Sequence, residues 1–435
     1  MARTGYRACA LRVESLGALR IAPRAYASRM GVRRRVAWVA MAMVLFACTG
    51  SRPEGPSGAL PSLGAFPGPV TGDRLLVLKD DGSVVTVGRD GNALISLRGA
   101  QDLDLERRQP VWSPDGSSVA WVEIGTAAPP ASSTLVTSRS DGSSHRKVTV
   151  DVGTFFLQWD PTSSKLAYLG SFRGTVGMGV ADTGADGGPV AKTLGLGQPF
   201  YLSWGPEGDR LLIHVGADTL GTLDLTRNLE PIANRPGVFH APVWLKDGRF
   251  VYAEHDGDRQ RLVVRDGRRP RALVRFQGAI EFVASSDGHR IAYRVDEGGG
   301  FGTVSVVDLE SGRSRAISDT PSSAFHWSPD GKRLLLMTPV EGDDPTTHRW
   351  HVWDGKDTNP VGPTFLPSPT YLREYMPFFG QYAQTMTLWS PDGRSFAYPG
   401  LIEDRAGIWV QDLDAEEPSL VVEGGSVVAW SPVSG

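Results

Sequence analysis

Short apolar runs recur along this chain, and each follows a polar turn at nearly the same interval. Trp327-Ser328-Pro329-Asp330-Gly331 precedes Leu334-Leu335-Leu336-Met337, and Trp112-Ser113-Pro114-Asp115-Gly116 precedes Val119-Ala120-Trp121-Val122. Trp389-Ser390-Pro391-Asp392-Gly393 precedes Phe396-Ala397-Tyr398. Looser copies start at Trp159, Trp204 and Trp244, and a copy at Ala284 keeps its turn but has lost the Trp. Trp430-Ser431-Pro432 ends the series. In each copy an apolar strand ends at the Trp. Pro presets φ for a tight turn, Asp bonds its own downstream backbone, and Gly accepts a positive φ. A second strand, rich in β-branched and aromatic residues, leaves the turn. The Asp residues of these blocks therefore read as turn chemistry and not as metal ligands or catalytic carboxylates.

Successive markers are 47 (112 to 159), 45 (159 to 204), 40 (204 to 244), 40 (244 to 284), 43 (284 to 327), 62 (327 to 389) and 41 (389 to 430) residues apart. A period of about 40–45 residues fits four strands per unit, which is a propeller blade. The quoted blocks resemble the WD-like repeats of the TolB-type β-propeller, also found in the propellers of prolyl-oligopeptidase relatives. The resemblance covers residues 73–435 and implies an all-β propeller of four-stranded blades. It concerns the scaffold and carries no activity with it. Counting markers gives eight blades; seven follows if the weak repeat around Ala284 is merged or irregular. Residues 75–78, 84–87 and 93–97 read as three strands lacking a Trp-bearing first strand. Residues 426–430 are such a strand lacking the other three. Pairing the two ends would complete one blade, close the ring and satisfy two open sheet edges.

Ahead of the body stand Arg33-Arg34-Arg35, an apolar run over 36–47, and Cys48. A basic stretch followed by so short an apolar one reads as a signal peptide and not as a spanning helix. Leu45-Phe46-Ala47-Cys48 resembles a bacterial lipobox, which implies lipidation of Cys48. Residues 1–47 are thus a leader, with Met30 as the expected start of translation. Residues 48–72, rich in Pro and Gly, are an extended tether. Cys9 and Cys48 are the only cysteines, so the body has no disulfide and no thiolate metal site. Residues 1–47 hold nine Arg and one Glu, which leaves 36 basic against 47 acidic residues beyond them. An acidic body without a basic run argues against nucleic acid and against electrostatic binding to anionic lipid.

No nucleophile elbow, zinc-protease motif, Walker loop or dinucleotide fingerprint is present, so neither a catalytic residue, a metal nor a cofactor is expected. His348 and His351, three apart in a predicted strand, point to opposite faces and do not chelate one ion together. The more informative pattern lies just before the inner strands, where Phe155-Phe156, Phe200-Tyr201, Phe239-His240, Phe282 and Phe325-His326 hold similar positions. These positions read either as core between blades or as an aromatic mouth of the central channel. The one long spacing contains an insertion over 366–383 with Tyr371, Tyr375, Phe378, Phe379 and Tyr382. Ser368 and Pro369 predict a helix start, and Pro377 its stop about two turns on. The insertion is either a plug over exposed blade edges or a flap over a binding mouth.

The sequence thus leads to an exported propeller, held at the membrane by a lipid on Cys48. It is expected to be a non-enzymatic binding or scaffolding module for an envelope protein, peptide or glycan. The candidate mouth is Phe200, Tyr201, Phe239, His240, Phe325, His326, Tyr371, Tyr375, Phe378 and Phe379. The alternatives are a propeller enzyme (a polysaccharide lyase or a hydrolase) and an accessory subunit of an envelope transporter. A counterpart of the additional N-terminal domain of TolB is not expected in the short tether. The hydrolase domain of prolyl-oligopeptidase relatives is not expected either.

Overall fold

Each Trp-Ser-Pro-Asp-Gly block closes through its own side chains. In the computed structural model Ser328 Oγ donates to Asp330 Oδ1 at 2.6 Å and accepts the Arg333 N–H at 2.9 Å. Asp330 Oδ1 also accepts the Lys332 N–H at 3.0 Å, and Gly331 sits at φ 67°, where a Cβ would be strained. The same serine–aspartate bond, 2.6 Å long, recurs at Ser113–Asp115 and Ser390–Asp392. The turn aspartates are therefore held by the local backbone, and the serine contributes as much as the Pro-Asp-Gly that follows it.

The structure describes residues 72–433 except 101–103, 127–131, 184–189, 199, 234, 239, 268, 297–300 and 343–345, all within the compact unit Gly64–Gly435. The leader, Cys48, the tether up to residue 71, Phe239 and the glycines at 298–300 lie outside the described residues.

Among the described residues six four-stranded antiparallel sheets and one seven-stranded sheet form. Blade 1 joins the chain ends. Gly425–Trp430 pairs with Arg74–Lys79 in the register Leu75↔Trp430 and Val77↔Val428, followed outward by Val84–Gly88 and Ile95–Arg98. The inner strands of blades 2 to 7 are Leu105–Trp112, Gly153–Trp159, Phe200–Trp204, Val243–Trp244, Ala279–Ala284 and Ala324–Trp327. The seven-stranded sheet holds the last two repeats, bridged at Leu366↔Leu401 and Pro367↔Gly400. In its second part the inner strand shrinks to the single bridge Trp389↔Phe396. Seven sheets therefore carry eight repeat units. The merger falls between the 327 and 389 repeats and not at Ala284, whose repeat forms a complete four-stranded sheet.

The marker Trp has a second task. In four copies its indole N–H reaches the carbonyl just ahead of the preceding marker: Trp112 to Ala429, Trp204 to Gln158 and Trp327 to Val283 at 3.1 Å, and Trp389 to His326 at 3.0 Å. Each bond ties one blade's inner strand to its neighbour's. Trp244 packs flat instead, so a Cβ at Gly205 would lie 3.1 Å from its ring. Between blades the core is aromatic and aliphatic, with Trp121, Trp353, Trp430, Tyr168, Phe156 and Phe396 fully buried.

Candidate functional site

An inner strand is a sheet edge, and its free N–H and C=O groups face the central channel. The insertion supplies partners for them. After Thr358–Pro367 the chain makes a π turn over Tyr371–Tyr375, a 3-10 turn over Met376–Phe378 and one α-helical turn over Phe379–Tyr382. The predicted N-terminal signal is present, since Ser368 Oγ accepts the Tyr371 N–H at 3.2 Å. The predicted stop at Pro377 is not, because Pro377 lies in the first turn of the next segment, where it forfeits no needed donor.

Gln381 acts as a substitute strand: its amide accepts the Leu202 N–H at 2.8 Å and donates to the Leu202 carbonyl at 2.9 Å. Gln109, at φ 45° in a bulge of blade 2, does the same for Leu157. Tyr382 donates to the Phe155 carbonyl at 2.6 Å, Ser368 to the Ser426 carbonyl at 2.8 Å and Gln384 to the Pro242 carbonyl at 3.3 Å. The insertion thus bonds to the inner strands of blades 1, 3 and 4, and Gln384 just after it reaches the chain ahead of blade 5 at Pro242. It is a seated plug.

This seating sorts the candidate mouth. Phe325, His326, Phe379, Tyr371, Tyr375, His240 and Phe200 are all buried. Phe379 packs against Phe325 at 4.9 Å and edge-on to His326 at 5.5 Å, while Tyr382 meets Phe156 edge-on at 5.3 Å. A continuous aromatic surface over Phe325, His326, Tyr371, Tyr375 and Phe379 is therefore not what the chain presents; Phe325 and His326 serve as the plug's seat, and Tyr371, Tyr375 and Phe379 are the plug's own buried rings. Tyr201 is half-buried, and Phe378 is 50% exposed.

Among the described residues, hollows border the plug on several sides. An apolar one of about 440 Å³ lies between blades 3 and 4, walled by Phe155, Phe156, Phe200, Tyr201, Val176 and Phe378. A second, of about 290 Å³, is lined by Tyr201, Glu281, Arg294, Asp296 and Phe301. Arg294 Nε binds Glu281 Oε2 at 2.8 Å, its Nη2 binds the same oxygen, and its Nη1 reaches the Ser322 carbonyl. Its guanidinium also lies 4.7 Å from the Phe301 ring and 5.8 Å from Phe379. The third hollow, about 190 Å³, is polar: Arg108 grips both oxygens of Glu106 at 2.8 Å, and burial holds the Glu374 carboxyl above the usual range.

Two histidines stay neutral beneath the plug. Burial lowers His240 and His326 to about 3 from 6.5, helped for His240 by the neighbouring His214. His240 Nε2 accepts the Ala253 N–H at 2.9 Å, so a proton there would break that bond. Above pH 6.5 neither state holds the proton, and between 6.5 and 3 only the unfolded chain does, so stability falls with pH. At pH 5 the loss is about 2 kcal/mol per histidine. The melting midpoint should therefore drop from pH 7 to 5, and His326→Phe should drop less. A flat midpoint over that range would rule out neutral burial.

No protein-family model matches the sequence, and no curated protein matches it. Solved structures do. The dihydro-heme d1 dehydrogenase NirN, in complex with DHE, shares 15% identity and a TM-score of 0.56 over 86% of this chain and 78% of its own. The fold is a β-propeller. TolB from Acinetobacter baumannii is also similar (16% identity, TM-score 0.37, 69% of this chain and 79% of its own). So is an oligogalacturonate lyase in complex with manganese (14% identity, TM-score 0.45, 74% and 85%). The expected propeller of four-stranded blades thus holds at the level of fold. The expectation that the chain is not an enzyme is corrected: a dehydrogenase shares the propeller, so the fold does not settle enzymatic status. Among the described residues no three His, Cys, Asp or Glu gather as a metal site, and no helix is long and apolar enough to cross a membrane.

Sequence reasoning missed Gln381, Gln109 and the Glu281–Arg294–Asp296 group. A signal existed for Arg294, a charge that interrupts the apolar strand after Ile291-Ala292-Tyr293. The glutamines gave none, because their partners lie 179 and 48 residues away.

Proposed function

We propose that this protein is an exported propeller, tethered to the membrane by a lipid on Cys48, that captures an extended polypeptide segment at the plugged mouth. The carrying observation is Phe378, a large ring half exposed on the rim of an apolar hollow of about 440 Å³. Aromatic rings around a concave apolar site are the usual anchors of partner binding. The basic, apolar and Cys48 succession supports export and anchoring, and the Pro- and Gly-rich stretch behind it supplies reach. The partner is an envelope protein or peptide, with glycan binding as the competing outcome.

The experiment is panning of a displayed random-peptide library on the purified propeller. Wild type should enrich peptides with a large apolar residue, and Phe378→Asp should lose that enrichment while melting as before. A variant that selects the same peptides as wild type would place binding elsewhere. Enrichment only on a glycan array would replace polypeptide with sugar. In cells, Cys48→Ala should move the protein from membrane to soluble fraction; unchanged fractionation would overturn the anchor.

A further inference from the structure

We propose that a hollow between the outer strands of blades 1 and 2 binds a phosphate group. Its volume is about 260 Å³, it contains no residue of the plug, and it is independent of the peptide-binding mouth. Blade 1 contributes Ser96, Leu97 and Arg98 from the end of its outermost strand, Ile95–Arg98. Blade 2 contributes Trp121, Val136 and Lys147, which the register Trp121↔Val136 and Val136↔Lys147 sets in one row across three strands. Residues directly opposite each other in a sheet share a face, so blade 2 presents all three to blade 1.

The charges there do not cancel. Arg98 and Lys147 both line the hollow, and no carboxylate does. Their one ion-pair partner among the described residues is Glu123, which holds Arg98 Nε at 3.3 Å through Oε1 and Lys147 Nζ at 2.8 Å through Oε2. The same carboxylate also holds Arg107 Nε at 3.3 Å. Leaving Arg107 aside, two cations still share one anion. That anion is withdrawn: the Glu123 side chain is 4% exposed, against 42% for Arg98 and 48% for Lys147, so the excess positive charge faces the hollow and solvent. Donors are left over as well. The Arg98 Nη groups bond to nothing among the described residues, and the Lys147 ammonium makes one hydrogen bond, to Glu123. Trp121 is fully buried, and its indole N–H has no acceptor. A buried donor without a partner is costly, which favours a ligand that brings oxygens. A phosphate monoester at neutral pH brings a charge of about −1.5 to −2 and three acceptor oxygens. That suits a guanidinium fork and an ammonium together, whereas a carboxylate brings less charge and fewer oxygens.

Calorimetric titration of the purified protein in low-salt buffer tests this, with inorganic phosphate, glycerol phosphate and acetate as probes. Phosphate should bind about tenfold more tightly than acetate, and added salt should weaken it. Arg98→Gln and Lys147→Gln should each weaken phosphate about tenfold, the loss of one charge-assisted contact. Both should melt like wild type, because Glu123 keeps two of its three cations. Lys356→Gln removes an equal charge from an exposed position outside the hollow and should leave the affinity unchanged. The Trp121 indole resonance of wild type, which needs no substitution, should shift and saturate with the calorimetric Kd. Glycerol phosphate binding at least as tightly as inorganic phosphate would identify an esterified ligand, and the reverse order the free ion; both uphold the site. Equal affinity for acetate and phosphate, unchanged affinity in both hollow variants, an indole resonance unmoved by bound phosphate, or no saturable heat would overturn it.

Discussion

Deleting residues 426–435 should unfold the propeller. The lost strand, Gly425–Trp430, is the inner strand of blade 1, and Val427, Val428, Ala429 and Trp430 are all buried. Burial of Val427, Val428 and Trp430 alone is worth roughly 1.5–3 kcal/mol each. That sum is comparable with the whole stability of an ordinary domain, about 5–15 kcal/mol. Further contacts fail with it: the Trp112 indole loses the Ala429 carbonyl, and Trp430 no longer donates to Asp73 at 2.9 Å or to the Thr387 carbonyl at 2.6 Å. Two sheet edges would then stand open, at Arg74–Lys79 and at the Thr387 stretch, and open edges pair between molecules. Loss of the cooperative melt together with aggregates on size exclusion is the expected result. A truncated protein that melts like the full chain would show that the pairing of the ends does not carry the ring.

Phe379→Ala should cost about 3–5 kcal/mol, the range for emptying a buried aromatic site. Phe379 lies against Phe325, His326 and the Arg294 guanidinium, so its removal leaves a cavity where the plug meets blades 6 and 7. Gln381→Leu should cost a comparable amount, at about 1–3 kcal/mol for each of the two Leu202 groups left unpaired. Denaturant titration of both variants reads these losses directly. Deleting 366–383 outright should destabilise the whole ring, because Leu202, Phe155 and Ser426 would lose partners at once. A full-stability deletion variant would mean that the insertion rests on the ring as a detachable flap.

The two predictions differ in how far their residues could be read from the chain. Pairing of the ends followed from counting: three strands without a first, and a first without three. Seating of the plug did not. Five aromatic residues in the insertion marked it as ordered, but the same five suit a flap and a plug equally. Phe325 and His326 likewise suit a mouth or a core. What separates the outcomes is whether Phe379 and Tyr382 or a ligand fills the space above them, and the periodicity contains no term for that. The blade count shows the same division. Ala284 looked the weakest marker, yet its repeat is complete, because Phe282, Val283, Ile291 and Ala292 still alternate and pack without a Trp. The repeat that merged has a perfect Trp-Ser-Pro-Asp-Gly block. Its inner strand is short because Thr387 pairs with Trp430 and the chain ahead of it is drawn into the plug.

By itself the sequence determined the turn, the strands on either side of it, their repetition, and the exchange of strands between the two ends. All of these are local: a serine, an aspartate and a glycine bonding within five residues, and side chains alternating with a period of two. Tertiary structure decided which aromatic rings are seat and which are rim, where two repeats fuse, and which carboxylates share a hollow. Those outcomes depend on partners up to 357 residues apart, such as Trp430 and Asp73, and on which element reaches an unpaired edge first in space. A polar group buried at an edge must find a partner, but only the closed ring places Gln381 beside Leu202.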